Sequence, residues 1–330
     1  MADVAIIGAG VMGLATARAL SRAGRRVVVY EQFEPGHARG SSHGRSRVFR
    51  LAYGEPHWVR LAQEALAGWR QLEAEAGEPL LQLDGLIEIV TDLERSSAAT
   101  LQACGAAWQR LERDEVERRF ALRLQPGTFA VLQPEAGIVL ADRALAALGR
   151  GVEVRYGTRV ASLAELDEAC VVVTAGAWVN DLVESPLPVR VTRETVCYFR
   201  RNDARPMPAF VSVDPRTGGI PFYALADPLH GLKAAAHHAG PQADPDEAGG
   251  PDAGVVDALA AWIGEHVALA DPRPVEPQSC LYTSTADEGF ILERRGRVVI
   301  GSACSGHGFK FAPAIGERLA VLAIEALDSA

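Results

Sequence analysis

Val4-Ala5-Ile6-Ile7-Gly8-Ala9-Gly10-Val11-Met12-Gly13 is a short apolar run that breaks into a glycine turn. Leu14 to Ala23 follows with helical composition, and Gly24 stands where a helix would stop. Arg25-Arg26-Val27-Val28-Val29-Tyr30 reads as a second strand, and Glu31 ends it. Strand, glycine turn, helix, strand and acid in this register make up the dinucleotide-binding unit of a Rossmann-like α/β fold. Gly8 permits the tight turn, Gly10 leaves room for backbone to approach a pyrophosphate, and Gly13 lets the helix pack close to the strand. The free N–H groups at the helix start then face the pyrophosphate charge, which the helix dipole also favours. Glu31 is placed to accept hydrogen bonds from a ribose, and its charge disfavours a 2′-phosphate, so NADP is not expected. The motif does not separate FAD from NAD.

The bulk of the chain limits the alternatives. At 330 residues and 48% hydrophobic it has material for a buried core and two lobes. A net charge of −9, with no Lys/Arg block, speaks against a nucleic-acid partner. No apolar stretch reaches membrane-spanning length. The amino terminus reads as running straight into a core strand, so no basic or cleavable leader is expected. Cys104, Cys170, Cys197, Cys280 and Cys304 are scattered and contain no CxxC pair. That usage suits a reducing cytoplasm and gives no basis for a disulfide framework or a zinc site.

Glu55 to Gly77 is expected to be an amphipathic helix, with Trp58, Leu61, Ala62, Ala65, Leu66, Trp69 and Leu72 at helical spacing. Leu81–Val90 reads as a strand, Leu111–Phe120 as a short charged helix, Ala141–Leu148 as a helix and Gly151–Tyr156 as a strand. Val171-Val172-Val173-Thr174-Ala175-Gly176-Ala177-Trp178 is a strand apolar enough for a sheet covered on both faces, running into a small-residue turn. Pro186 to Thr285 differs in composition and carries the β-rich Thr195–Phe199 run and a polar Gly240–Gly254 loop. Val298-Val299-Ile300-Gly301 returns to core-strand character, and Pro313–Leu327 closes the chain as a helix. The nucleotide fold is therefore discontinuous. Its expected pieces are residues 1–78, 141–187 and 286–330, with an inserted antiparallel-sheet substrate domain formed by 79–140 and 188–285.

Four segments carry chemistry. In Gly40-Ser41-Ser42-His43-Gly44-Arg45-Ser46-Arg47-Val48-Phe49-Arg50, the three-residue spacing of Arg47 and Arg50 would put both on one face of a helical turn. Guanidinium groups match planar anions. Cys280-Leu281-Tyr282-Thr283-Ser284-Thr285-Ala286-Asp287 holds a cysteine that, taken alone, reads as a small core residue. Gly301-Ser302-Ala303-Cys304-Ser305-Gly306-His307-Gly308-Phe309-Lys310-Phe311 is a glycine-rich loop before the last helix, suited to pass close to a flat ligand. Gly231-Leu232-Lys233-Ala234-Ala235-Ala236-His237 sets a lysine among apolar residues, either on a strand edge or buried for a task.

In order and placement these segments resemble the monomeric sarcosine oxidase and N-methyltryptophan oxidase group of the D-amino-acid oxidase flavoprotein superfamily. The resemblance spans nearly the whole chain and rests on SSHGxSRxxR, CxYTxTxD and SGHGFKF, with VVxTAGAW in support. It implies FAD, attached covalently through Cys280. It implies a substrate carboxylate held by Arg50 and Lys310, Arg47 near the flavin, and Lys233 over the face where oxygen is reduced. His237, Tyr282 and Tyr223 would line the substrate cavity. The implied cofactor site consists of Gly8, Gly10, Val11, Met12, Gly13, Glu31, Gln32, Ser41, Ser42, His43, Arg47, Val160, Ala175, Gly176, Trp178, Cys280, Gly306, His307, Gly308, Phe309 and Lys310. The implied activity is oxidation of a secondary amino acid to the imine, with O2 returned as peroxide, by a monomer without membrane or nucleic-acid partner. A primary-amino-acid oxidase and an amine dehydrogenase of the same fold are the competing readings. Arg45, a charged residue in that loop, is expected to add positive charge near the cofactor, and the Tyr223–Lys233 interval is one residue shorter than in relatives.

Overall fold

A computed structural model describes residues 2–203, 205–213, 219–302 and 304–329. Ala303, within the glycine-rich loop quoted above, lies outside them, as do Ala204 and residues 214–218 of the inserted region.

Three sheets organise the described residues. The first has six strands in the order β16 (Ile291–Arg295), β17 (Val298–Ser302), β10 (Cys170–Val173), β1 (Val4–Ile7), β2 (Val27–Tyr30) and β9 (Glu153–Arg155). All neighbours run parallel except β16, which pairs antiparallel with β17. Strand side chains alternate, and here both faces are covered. Val4, Ile6, Val29, Val172 and Val299 join a core with helices α1 (Val11–Arg22), α2 (Pro56–Ala76), α5 (Ala141–Leu148) and α7 (Ala312–Asp328). Ala5, Ile7, Val28, Val171, Val173 and Ile300 pack on the other side against Val160, Leu166, Val179 and Leu187. Double coverage explains why these strands read as unbroken apolar runs rather than alternating ones.

The second sheet has eight strands: β15 (Glu276–Ser284), β11 (Arg190–Arg200), β14 (Gly231–Ala236), β13 (Pro221–Asp227), β12 (Ala209–Val213), β5 (Leu86–Val90), β7 (Phe129–Gln133) and β6 (Gln109–Leu111). Its pairings are antiparallel apart from β12 with β5. Phe199, Phe210 and Leu232 bury one face under α6 (Ala253–His266) and α4 (Arg113–Phe120), through Trp262, Ile263, Val116 and Phe120. The short helix α3 (Ala98–Ala103) packs beside α2. The third sheet is a small antiparallel set, β3 (Ser46–Phe49), β8 (Gly137–Leu140) and β4 (Leu81–Gln82). The expected single strand over 81–90 is thus two strands in different sheets. Gly85, at φ +101, makes the bend between them. Residues Gln109–Leu111 are strand, so the charged helix begins only at Arg113. No described helix is long and apolar enough to cross a membrane.

Candidate active site

One cavity of roughly 1300 Å³ runs from the glycine turn after β1 to the face of the second sheet. Of the residues expected at a site from sequence, all line it except Gly13. At its nucleotide end, Gly8 turns at φ +98, and a Cβ there would lie 2.6 Å from the Thr174 carbonyl oxygen. A Cβ on Gly13 would lie 1.9 Å from the Gly8 carbonyl oxygen, so Gly13 shapes the turn from behind without facing the cavity. Glu31, buried at 6% exposure, accepts from the Ala9 N–H at 2.8 Å and the Phe33 N–H at 3.0 Å. Its carboxylate is fixed by the turn it faces, and it lines the cavity. Helix α1 starts at Val11 without an acidic first turn, and the Val11 N–H donates to Ser42 Oγ at 3.0 Å. Ser42 therefore occupies one of the helix-start donors that sequence reading left free for a ligand. A long trough ending at a glycine turn, an acid and a helix start fits a dinucleotide.

The loop 40–50 corrects two expectations. Ser46–Phe49 is strand β3, so Arg47 and Arg50 do not share a helical face. Arg47 gives its guanidinium to main-chain carbonyls: Ser46 at 2.9 Å, Ser41 at 2.8 Å, and His43. It fastens the loop while its charge stays beside the cavity, 5.5 Å from the Phe309 ring centre. Arg45 turns away from the cavity. It pairs with Asp227 and Glu276, each at 3.0 Å, and lies over the Tyr198 ring. Its charge is neutralised rather than added to the site. His43 Nδ1 lies 3.0 Å from the Gly40 carbonyl, and burial, with Arg47 second, lowers its pKa to about 4.

The far end gathers the chemistry. Lys233 sits on β14, an interior strand between β11 and β13, not on an edge. It is 4% exposed, and its Nζ donates to the Ser46 carbonyl at 3.1 Å. Burial first and Arg47 second pull its pKa down to about 7. Its register partners are Tyr198 and Leu225, and two residues on along β13's pairing Tyr223 faces Ala235. The short Tyr223–Lys233 interval is therefore a hairpin that still brings Tyr223 to the cavity. Burial raises the hydroxyls of both Tyr223 and Tyr282, Tyr223 to about 12. The His237 ring lies 5.7 Å from Tyr282, and burial holds it neutral with a pKa lowered to about 3. Cys280, on β15, is a free thiol lining the cavity; burial pushes its pKa up while Arg47 and Lys233 pull it down. Gly306 packs tightly here: a Cβ would meet Tyr282 at 2.4 Å and His237 at 2.7 Å.

Lys310 is 4% exposed and sits in a single turn, Gly308–Phe311, that leads into α7. Its Nζ donates to Tyr53 Oη at 3.0 Å and to the His307 carbonyl at 2.6 Å. Burial, then Arg50, pulls its pKa well down. The Trp69 indole N–H donates to the Lys310 carbonyl at 2.8 Å, which ties α2 to the site. Helical spacing marks Trp69 only as core and does not single out Tyr53. The signal that could have found Tyr53 is weak: an aromatic three residues after Arg50, before a helix start.

The whole-chain comparisons agree with this geometry. The family model for FAD dependent oxidoreductases matches residues 3–322. The chain is 33% identical over 369 aligned positions to human peroxisomal sarcosine oxidase, covering 99% of this chain and 93% of that one. It is 29% identical to monomeric sarcosine oxidase from a Bacillus species, covering 98% and 92%. Among solved structures it resembles NikD, described as an unusual amino acid oxidase essential for nikkomycin biosynthesis. The TM-score is 0.87 at 27% identity, over 98% of this chain and 94% of that one. With a family match over nearly its full length and a dinucleotide trough that fits, the chain belongs to the FAD dependent oxidoreductase family.

Proposed function

We propose that the protein oxidises a secondary amino acid (sarcosine, another N-methyl amino acid, or a cyclic imino acid) to the imine, with O2 reduced to H2O2. The observation that carries this reading is the pair of cations, Arg50 and Lys310, brought to one ring, that of Tyr53, at the end of the cofactor trough. FAD supplies the acceptor for a hydride equivalent from the carbon beside the amine. The amine must be neutral to support the developing positive charge. Arg50 and Lys310 hold the substrate carboxylate, and their charge disfavours a third cation nearby, so the amine loses its proton more readily. Tyr223, Tyr282 and neutral His237 wall the amine and carbon side of the substrate. Lys233 offers a cation to oxygen as it gains its first electron. The glycine turn, Glu31, Gln32, the 41–47 loop, Val160, Ala175–Trp178 and Gly306–Lys310 hold the cofactor in this reading. A carrier-linked dehydrogenase would have no use for a buried lysine such as Lys233.

The test is anaerobic mixing of the purified yellow protein with sarcosine, N-methyltryptophan, L-proline and L-pipecolate. Bleaching of the flavin band by one of them, reversed by air with peroxide formed, is the expected result. Bleaching only by glycine or a D-amino acid would overturn the secondary-amine assignment. We further propose that Cys280 carries the FAD covalently. After acid precipitation the colour should stay with the wild-type protein and leave with the supernatant for Cys280→Ser; colour in the wild-type supernatant would refute the linkage. The working form is a monomer, and the five unpaired cysteines suit a reducing compartment such as the cytoplasm.

A further inference from the structure

We propose that Tyr53 is the positioning residue of the carboxylate clamp, seating Arg50 on its ring and aiming Lys310 through its hydroxyl. The inference rests on the amino-acid reading above. The guanidinium carbon of Arg50 lies 4.4 Å from the Tyr53 ring centre, a cation–π distance. The hydroxyl of the same residue accepts from Lys310 Nζ at 3.0 Å.

The direction of that hydroxyl follows from its other partner. His307 Nε2 lies 2.9 Å from the Glu288 carbonyl, which can only accept, so Nε2 carries the proton. His307 is held neutral, its pKa lowered to about 2 by burial and then by Lys310. Its Nδ1 is then bare and accepts from the Tyr53 hydroxyl at 3.1 Å. With its proton committed to His307, the Tyr53 oxygen presents lone pairs to Lys310. Facing a bound carboxylate, which favours its charged form, Lys310 is an ammonium with three N–H donors. Tyr53 takes one and the His307 carbonyl, at 2.6 Å, takes another, which leaves one for the cavity that Lys310 lines. A flexible lysine would otherwise lose rotamer freedom on each binding event. Here the fold has already ordered it. Two cations from distant parts of the chain thus share one aromatic support, and Trp58 and Phe311 hold that ring in place at 6.1 and 5.8 Å between centres.

Tyr53→Phe separates the two roles, because it keeps the ring and removes the hydroxyl. The FAD-loaded wild type and variant are titrated with propionate, a carboxylate with no amine, and followed by flavin absorbance. The dissociation constant should rise roughly tenfold or more in the variant, as for loss of a hydrogen bond to a charged group. KM for the amino-acid substrate should rise in parallel with little change in kcat, and flavin content should be unchanged. In a Lys310→Met background the same substitution should add almost nothing. Equal propionate binding by wild type and Tyr53→Phe would overturn the assignment of Tyr53 alone, as would an undiminished effect in the Lys310→Met background. Failure of the wild type itself to bind propionate would instead overturn the amino-acid reading, and the Tyr53 assignment with it.

Discussion

Replacing Lys233 with methionine is expected to slow reoxidation of the reduced cofactor by about 10²–10³-fold, the range seen on removing one preorganised charge donor. Reduction by substrate should change far less. Methionine matches the volume of the lysine stem, so the buried site stays filled and only the charge is lost. The asymmetry follows from the electrostatics. The first electron to reach oxygen makes an anion where none existed, and a cation waiting in a dry site lowers that barrier without reorganising. Lys233 is 4% exposed, and the Ser46 carbonyl holds its ammonium in place. The pH dependence has a definite sign. Its pKa is lowered to about 7, so the cation is present below that pH and lost as pH rises through it. Reoxidation in the wild type should therefore fall toward higher pH, with the midpoint at or above 7, because an anionic reduced ring nearby would hold the proton longer. In Lys233→Met this pH dependence should vanish. Stopped-flow absorbance, with reduction followed without air and reoxidation after mixing with oxygenated buffer, measures each half separately. Equal slowing of both halves would remove Lys233 from the oxygen step.

Gly13→Ala is expected to yield protein with little bound FAD and a stability loss of about 3 kcal/mol, the upper end of ordinary overpacking. The added methyl carbon would sit 1.9 Å from the Gly8 carbonyl oxygen and 2.8 Å from Thr174 Oγ1. The first contact is backbone, which cannot swing aside. Helix α1 must then lift from β1, and the lift opens the turn in which Val11 meets Ser42 and Ala9 meets Glu31. The ratio of visible to ultraviolet absorbance reports the cofactor, and chemical denaturation reports the stability. Full flavin content with an unshifted midpoint would show that the turn tolerates the displacement. The same substitution at Gly24 meets no atom within 4 Å, so any loss there comes only from its left-handed φ of +75.

The nucleotide end of the site was legible in residues 4–31 because its causes are local. A turn at positive φ requires glycine, a strand covered on both faces must be apolar throughout, and the acid stands at the tip of the next strand. The helix over 141–148 and the long amphipathic helix from Pro56 followed equally from short-range spacing and from the Gly77 stop at φ +70. The charged end of the cavity was less legible, because its causes join residues far apart in the chain. Arg45 looked like a charge beside the cofactor until Asp227 and Glu276 closed on it from 182 and 231 residues away. Arg47 and Arg50 looked like one cationic face until the strand Ser46–Phe49 turned Arg47 onto three carbonyls of its own loop. Lys233 could be surface or core from sequence, and only the strand order of the second sheet, with β11 and β13 on either side, buries it. Tyr53 meets Lys310 across 257 positions and His307 across 254, a distance at which spacing and composition carry no information. Local backbone geometry is written in neighbouring residues, whereas the partner of a charge is set by which sheets and helices pack together.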